Sequence, residues 1–153
     1  MTHDLIFDTV LDAPRDRVWR CWTEPRLLEQ WFCPKPWTVT DAVIDLRAGG
    51  EFSTVMHGPD GECFANTGVF LAVDPGRRLV FTDALTPELH PGARAFMVVH
   101  VTLSDAGPDG THTAYHARAM HWTEQARDEH RAMGFHQGWG IAAEQLQELA
   151  RSL

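Results

Sequence analysis

Nine histidines and three cysteines are the first residues of this chain to suggest chemistry, since imidazole and thiolate are the usual ligands of zinc. His112 and His116 stand four apart, and His57, His100 and His121 fall in segments of the same character. Those segments read as strands, where residues four apart share a face but lie about 13 Å from each other, too far to hold one ion. No metal site is expected, and the histidines read as surface or hydrogen-bonded groups. Cys21, Cys33 and Cys63 share no metal-type spacing and are odd in number, which reads as reduced thiols and not a disulfide framework. A serine nucleophile is equally thin: there is no G-x-S-x-G, and Ser53, Ser104 and Ser152 occupy no strand-to-helix elbow. Loops of the G-x-G-x-x-G and phosphate-binding types are missing, so no cofactor is expected. What remains of catalysis is an acid–base pair assembled across strands, with His57, His100 or Tyr115 as the proton-transfer group.

The aromatic and aliphatic residues say more. Four of the six tryptophans, Trp19, Trp22, Trp31 and Trp37, lie close together near the start, while Phe135 and Trp139 belong to a helical stretch near the end. Met97, Val99, Val101 and Leu103 alternate onto one strand face, and Tyr115, Ala117 and Ala119 form another that shrinks to alanine and makes room opposite a helix. The cavity expected from these patterns is lined by Phe52, Met56, Asn66, Phe81, Met97, Val99, Tyr115, Ala117, Phe135 and Trp139. Its occupant is a small hydrophobic or aromatic molecule. A filled core has the same composition and is the alternative.

The element that must position this interior is the stretch from Thr123 to Leu153. Ala132, Phe135, Trp139, Ala142, Leu146, Leu149 and Leu153 are separated by steps of three and four, which places them on one stripe of an α-helix. Thr123 suits its N-cap, Glu124, Asp128 and Glu129 its positive end, and Arg151 its negative end. About thirty residues would make a rod of roughly 45 Å, long enough to need a sheet wrapped around it. Gly134, Gly138 and Gly140 interrupt the pattern, each costing about 1 kcal/mol relative to alanine. Either they let the helix approach the sheet or kink, or they leave space beside Phe135 and Trp139 for a ligand.

Earlier in the chain, Leu5 to Leu11 reads as a strand, a helix follows Pro14 with Val18, Trp19 and Trp22 on its apolar face, and a second short helix carries Leu27, Leu28 and Trp31. From Thr38 onward the chain reads as an antiparallel meander, with strands at Thr38 to Leu46, Glu51 to His57, Glu62 to Val73, Arg78 to Asp83, Ala95 to Ser104 and Thr111 to His121. Gly49-Gly50, Gly58-Pro59-Asp60-Gly61, Asp74-Pro75-Gly76 and Gly107-Pro108-Asp109-Gly110 supply its turns. Ala84 to Arg94 is a longer loop, read either as a lid over one end of the sheet or as a plain surface excursion. The fold class is therefore α+β, a curved antiparallel sheet of six to seven strands with two short helices and a long C-terminal helix.

Length and composition bound the rest. A chain of 153 residues, 44% hydrophobic and 22% charged, reads as one globular domain spanning residues 1–153. A net charge of −8 argues against nucleic acid as a partner. The start, MTHDLIFD, has neither a basic segment nor an apolar core for export, and no run is long enough to span a bilayer, so a cytoplasmic location without membrane insertion is expected.

Four segments carry a resemblance to a known family: DAPRDRVWRCWTEPRLLEQWF from Asp12 to Phe32, DLRAGGEF from Asp45 to Phe52, the GxxxxVDPGRRLVFTD pattern from Gly68 to Asp83, and HRAMGFHQGWGIAAEQL from His130 to Leu146. In that order they resemble the START-like or SRPBCC superfamily, with its birch-pollen-allergen type of helix-grip fold, and within it the Aha-type homologues of the activator of the heat-shock chaperone ATPase. The resemblance implies one START-like domain over nearly the whole chain. Roles in the superfamily include binding lipids and other hydrophobic molecules, polyketide cyclisation, self-sacrificing antibiotic resistance and chaperone stimulation. The first is the function expected here, with an enzyme using the same cavity, cyclase-like or hydrolase-like, as the alternative. A chaperone-activating interaction module is the second alternative, and it is disfavoured because that role in the larger relatives depends on an additional N-terminal domain. The superfamily shares no catalytic signature, so no catalytic residue carries over, and a homodimer is left open.

Overall fold

The structure, a computed structural model, describes residues 2–153. Strand β1 spans His3–Leu11 and is followed by helices α1 at Arg15–Thr23 and α2 at Pro25–Leu28. Six strands follow: β2 Thr38–Ile44, β3 Glu51–His57, β4 Cys63–Asp74, β5 Arg78–Thr82, β6 Val98–Ala106 and β7 His112–His121. Helices α3 at Glu124–Ala132 and α4 at Phe135–Ser152 complete the chain. The seven strands form one antiparallel sheet in the order β1-β7-β6-β5-β4-β3-β2, so β1 closes the meander by pairing with its last strand. The result is the α+β helix-grip architecture that the sequence implies.

Alternation decides which side chains enter the core. On β6, Val99, Val101 and Leu103 are buried, and on β7, Thr113, Tyr115, Ala117, Ala119 and His121 are buried in strict alternation. Helix α4 contributes Phe135, Ala142, Ala143, Leu146 and Ala150 to the same core and packs against α1 and β1. Trp22 of α1, 1% exposed, is the largest side chain that is fully buried. Its Nε1 donates to the Tyr115 hydroxyl at 3.1 Å, which satisfies the one polar atom of the indole.

Three expectations are corrected. The single long helix is two helices, because the first ends at Ala132 with Met133 as its cap and Gly134 then adopts φ +95°. The break changes the phase of the stripe, so Ala132 is exposed instead of buried while Phe135 and Leu146 keep their inward positions. Helix α2 stops at Leu28, leaving Trp31 in the turns that follow, where its Nε1 donates to the Cys21 carbonyl at 2.9 Å. Strand β6 begins at Val98 and not Ala95, because the amides of Phe96 and Met97 donate to the Asp83 carboxylate at 2.9 and 3.3 Å instead of joining a ladder. Thr123 does cap α3, accepting from the Ala126 amide at 3.0 Å.

The two glycines at the start of α4 play opposite parts. Gly134 needs its positive φ, so Gly134→Ala is expected to destabilise the protein by about 1–2 kcal/mol. A Cβ on Gly138 meets nothing within 4 Å in ordinary helical backbone, so Gly138→Ala is expected to stabilise by about 0.5–1 kcal/mol. Urea unfolding of the two variants against the parent checks both signs.

Candidate functional site

The curved sheet is wider than α4 can cover. The helix packs toward β1 and α1, and over β3 to β5 the concave face looks into a hollow. Its wall follows from pairing register. Phe52, Thr54 and Met56 alternate along β3 onto the hollow, and their cross-strand partners Gly68, Asn66 and Phe64 on β4 line it as well. Phe81 from β5 and Phe96 and Met97 from the segment pinned by Asp83 complete this sheet lobe, which has a volume of about 440 Å³. A helix lobe of about 370 Å³ lies between Trp22, Trp31 and Cys33 on one side and His130, Phe135, Gly138 and Trp139 on the other. Phe32, Met56, Met97 and Met133 line both lobes, so the two meet. Each volume is that of an ordinary small-molecule site.

The lining is mostly ring and hydrocarbon, and Trp22 sets its inner limit. The Trp22 indole stacks with Trp139 at 6.5 Å between centroids and meets Trp31 and Phe32 edge-on at 5.0 and 5.6 Å. Behind it the core is solid. Three methionines border the hollow, and their unbranched thioethers adapt to differently shaped neighbours. At the outer rim Trp37 stacks on Phe64 at 6.0 Å.

Few polar atoms interrupt this surface. The Asn66 amide nitrogen is buried and has no partner among the described residues, an uncommon state for a buried donor. The Arg94 guanidinium lies over the Phe96 ring at 5.7 Å, at the edge of the sheet lobe. Burial pushes the Cys33 thiol up to about 11, so it is protonated at neutral pH and poorly suited to act as a nucleophile. At the wall of the helix lobe stands His130, whose Nδ1 lies 2.8 Å from Nε2 of His121 behind it, and His121 Nδ1 lies 2.9 Å from the His3 carbonyl oxygen. Among the described residues no group of three or more His, Cys, Asp or Glu side chains is arranged to hold a metal, and no helix is long and apolar enough to cross a membrane.

Of the ten residues expected to line a cavity, Phe52, Met56, Asn66, Phe81 and Met97 lie on the sheet lobe, and Phe135 and Trp139 on the helix lobe. Val99, Tyr115 and Ala117 lie elsewhere: at 0%, 2% and 0% exposure they belong to the packed core under α1, where the space left by small side chains on β7 is already occupied. The three proton-transfer candidates are also away from the hollow. His57 Nε2 is paired with Thr40 Oγ1 at 2.8 Å at the end of β3. His100 projects from the other side of β6 from Val99, near Arg78 and Arg118, and burial together with those cations lowers its pKa. Burial pushes the Tyr115 phenol up, away from any proton-transfer range at neutral pH. Residues missed by the sequence reading include Thr54 and Phe64, which strand alternation and register would have supplied, and Phe32, Met133 and His130, which no local pattern marks.

A family model described as Activator of Hsp90 ATPase homolog 1-like protein matches residues 12–151. Among solved structures, a protein from Nitrosomonas europaea is similar at 44% identity with a TM-score of 0.92, covering 97% of this chain and 94% of that one. A protein from Mycobacterium smegmatis is similar at 27% identity with a TM-score of 0.79, covering 97% and 90%. An AHSA1-like protein from Aeromonas hydrophila shares the fold at 20% identity with a TM-score of 0.68, covering 97% and 92%. No curated protein matches the chain.

Burial, and after it the neighbouring His121, lowers the His130 pKa from 6.5 to about 4. Between those two values the unfolded chain binds a proton that the folded protein does not, so this contribution is intact above pH 6.5 and is lost as the pH falls toward 4. The melting temperature of the parent is therefore expected to fall more steeply than that of His130→Phe across this window. Parallel thermal melts at several pH values check it, and equal slopes would contradict the assignment.

Proposed function

The chain belongs to the family of Activator of Hsp90 ATPase homolog 1-like proteins, and from that footing we propose that it binds a small hydrophobic or aromatic molecule in the two-lobed hollow between sheet and α4. The observation that carries this reading is Gly138. It stands in the first turn of α4 on a face directed at the helix lobe, where alanine would be the better helix former, and a Cβ there meets nothing within 4 Å. A filled core leaves no such gap beside two large rings, Phe135 and Trp139. The adaptable methionines and the unpartnered Asn66 amide support the same reading, since one accommodates shape and the other offers a donor to a polar substituent.

Binding is driven by the transfer of apolar ligand surface from water to the hollow, at about 25 cal/mol per Å². Asn66 and the rim residues would set orientation. The cytoplasm is the compartment in which three unpaired thiols are ordinarily maintained, and we place the protein there.

Isothermal titration calorimetry with 2-methylnaphthalene as a probe tests the reading. The parent is expected to bind it, and Gly138→Leu, which projects four carbons into the helix lobe, is expected to weaken binding at least about tenfold, or 1.4 kcal/mol, without lowering the melting temperature. Equal binding by the two proteins, or none by the parent, would count against a site in the hollow.

A further inference from the structure

His130, on the wall of the helix lobe, and His121, buried behind it, form a chain with a defined direction. A carbonyl oxygen can only accept, so His121 Nδ1 must carry the proton that it donates to the His3 carbonyl across 2.9 Å. In the neutral ring this leaves His121 Nε2 as an acceptor. The nitrogen 2.8 Å from it, His130 Nδ1, must then be the donor. His130 is in consequence the Nδ1–H tautomer, and its Nε2 bears a lone pair. That Nε2 has no hydrogen-bond partner among the described residues, although His130 forms part of the wall of the helix lobe. The two nitrogens of an imidazole point in nearly opposite directions, so with Nδ1 turned to β7 the lone pair of Nε2 is directed away from that strand.

The ring is also held in place. Its centroid is 4.7 Å from that of Phe96 and 5.1 Å from that of Phe135, with the latter pair edge to face. An acceptor fixed in this way, in a wall otherwise made of rings and hydrocarbon, is a specificity device: it rewards a ligand that brings a donor and leaves one without a donor with an unpaired nitrogen.

We propose that His130 Nε2 is the ligand-recognition acceptor of the hollow, that its tautomer is set by the His3 carbonyl through His121, and that the ligand class is an aromatic or polycyclic molecule bearing a hydroxyl or N–H donor. The proposal rests on the binding reading above and adds the polarity of the ligand to it. His130 touches the ligand, whereas His121 is a positioning residue that acts through the ring of His130. The low pKa of His130, about 4, keeps the lone pair unprotonated at neutral pH.

Two measurements test it. Long-range proton–nitrogen correlation spectra of the protein labelled with ¹⁵N-histidine are expected to show His130 protonated at Nδ1 and bare at Nε2 near pH 7. His121→Phe, which removes the acceptor, is expected to release His130 toward the Nε2–H form. A parent spectrum showing His130 protonated at Nε2 would overturn the proposal whatever the ligand. In titration calorimetry, 2-naphthol is compared with 2-methylnaphthalene, which is nearly the same shape and lacks the donor. The ratio of their affinities is expected to fall about three- to tenfold in His130→Phe, the range of one lost hydrogen bond. The variant should still bind 2-methylnaphthalene, which shows that the hollow is intact. An unchanged ratio defeats this inference alone. Failure of both probes to bind the parent defeats the cavity reading and this inference with it.

Discussion

The packing of Trp22 is the constraint on which the rest of the molecule depends. A sheet that curls around a helix has more concave face than one helix can fill, and the uncovered part must be plugged or left open. Trp22 marks where plugging stops. Its indole N–H is satisfied by Tyr115 at 3.1 Å, so it can be wholly buried without an orphaned donor. On one side it closes the core of β6, β7 and α4, and on the other its ring faces Trp31, Phe32 and Trp139 at the edge of the hollow. Moving this ring would merge the hollow with the core or collapse one into the other.

The position of α4 follows from a break that comes just before it. Gly134, in the left-handed region, ends α3 and restarts the helix in a new phase, which sends Phe135 and Leu146 into the core and brings Gly138 to the hollow. The same turn holds His130, on α3, close enough to reach His121 on the last strand. The backbone conformation of one glycine thus sets both the shape of the helix lobe and the position of the His130 ring on its wall. On the sheet lobe the equivalent work is done by Asp83, whose carboxylate takes the amides of Phe96 and Met97 and so holds these two side chains on the wall of the hollow instead of along a strand.

Much of this was readable in the sequence, for a physical reason in each case. Turn residues such as Asp74-Pro75-Gly76 impose backbone angles locally, so the meander and the α+β class were legible without tertiary knowledge. The face carrying Val99, Val101 and Leu103 was legible because alternation is a property of the strand itself. The division between cavity wall and core was not, because alternation assigns Met97 and Val99 to one face, whereas Asp83 holds Met97 off the strand and onto the hollow. The break at Gly134 was hidden by a three-and-four spacing that continues across it, since periodicity records composition and not the φ angle of one residue. The partnership of His121 and His130 joins a strand end to a separate helix, and neither neighbourhood contains a sign of it. The family resemblance found the fold, and the site had to be read from side chains.

A hollow that serves as the place for a small apolar molecule should retain one through purification. Native mass spectrometry of the protein as purified, followed by denaturing extraction of any compound carried with it, tests this most directly. The expected result is a mass increment of one small molecule that is released on unfolding and proves to be aromatic or otherwise largely apolar with a hydroxyl or N–H group. A protein of bare mass, whose thermal stability is unmoved by a library of lipids and polycyclic aromatics, would contradict it.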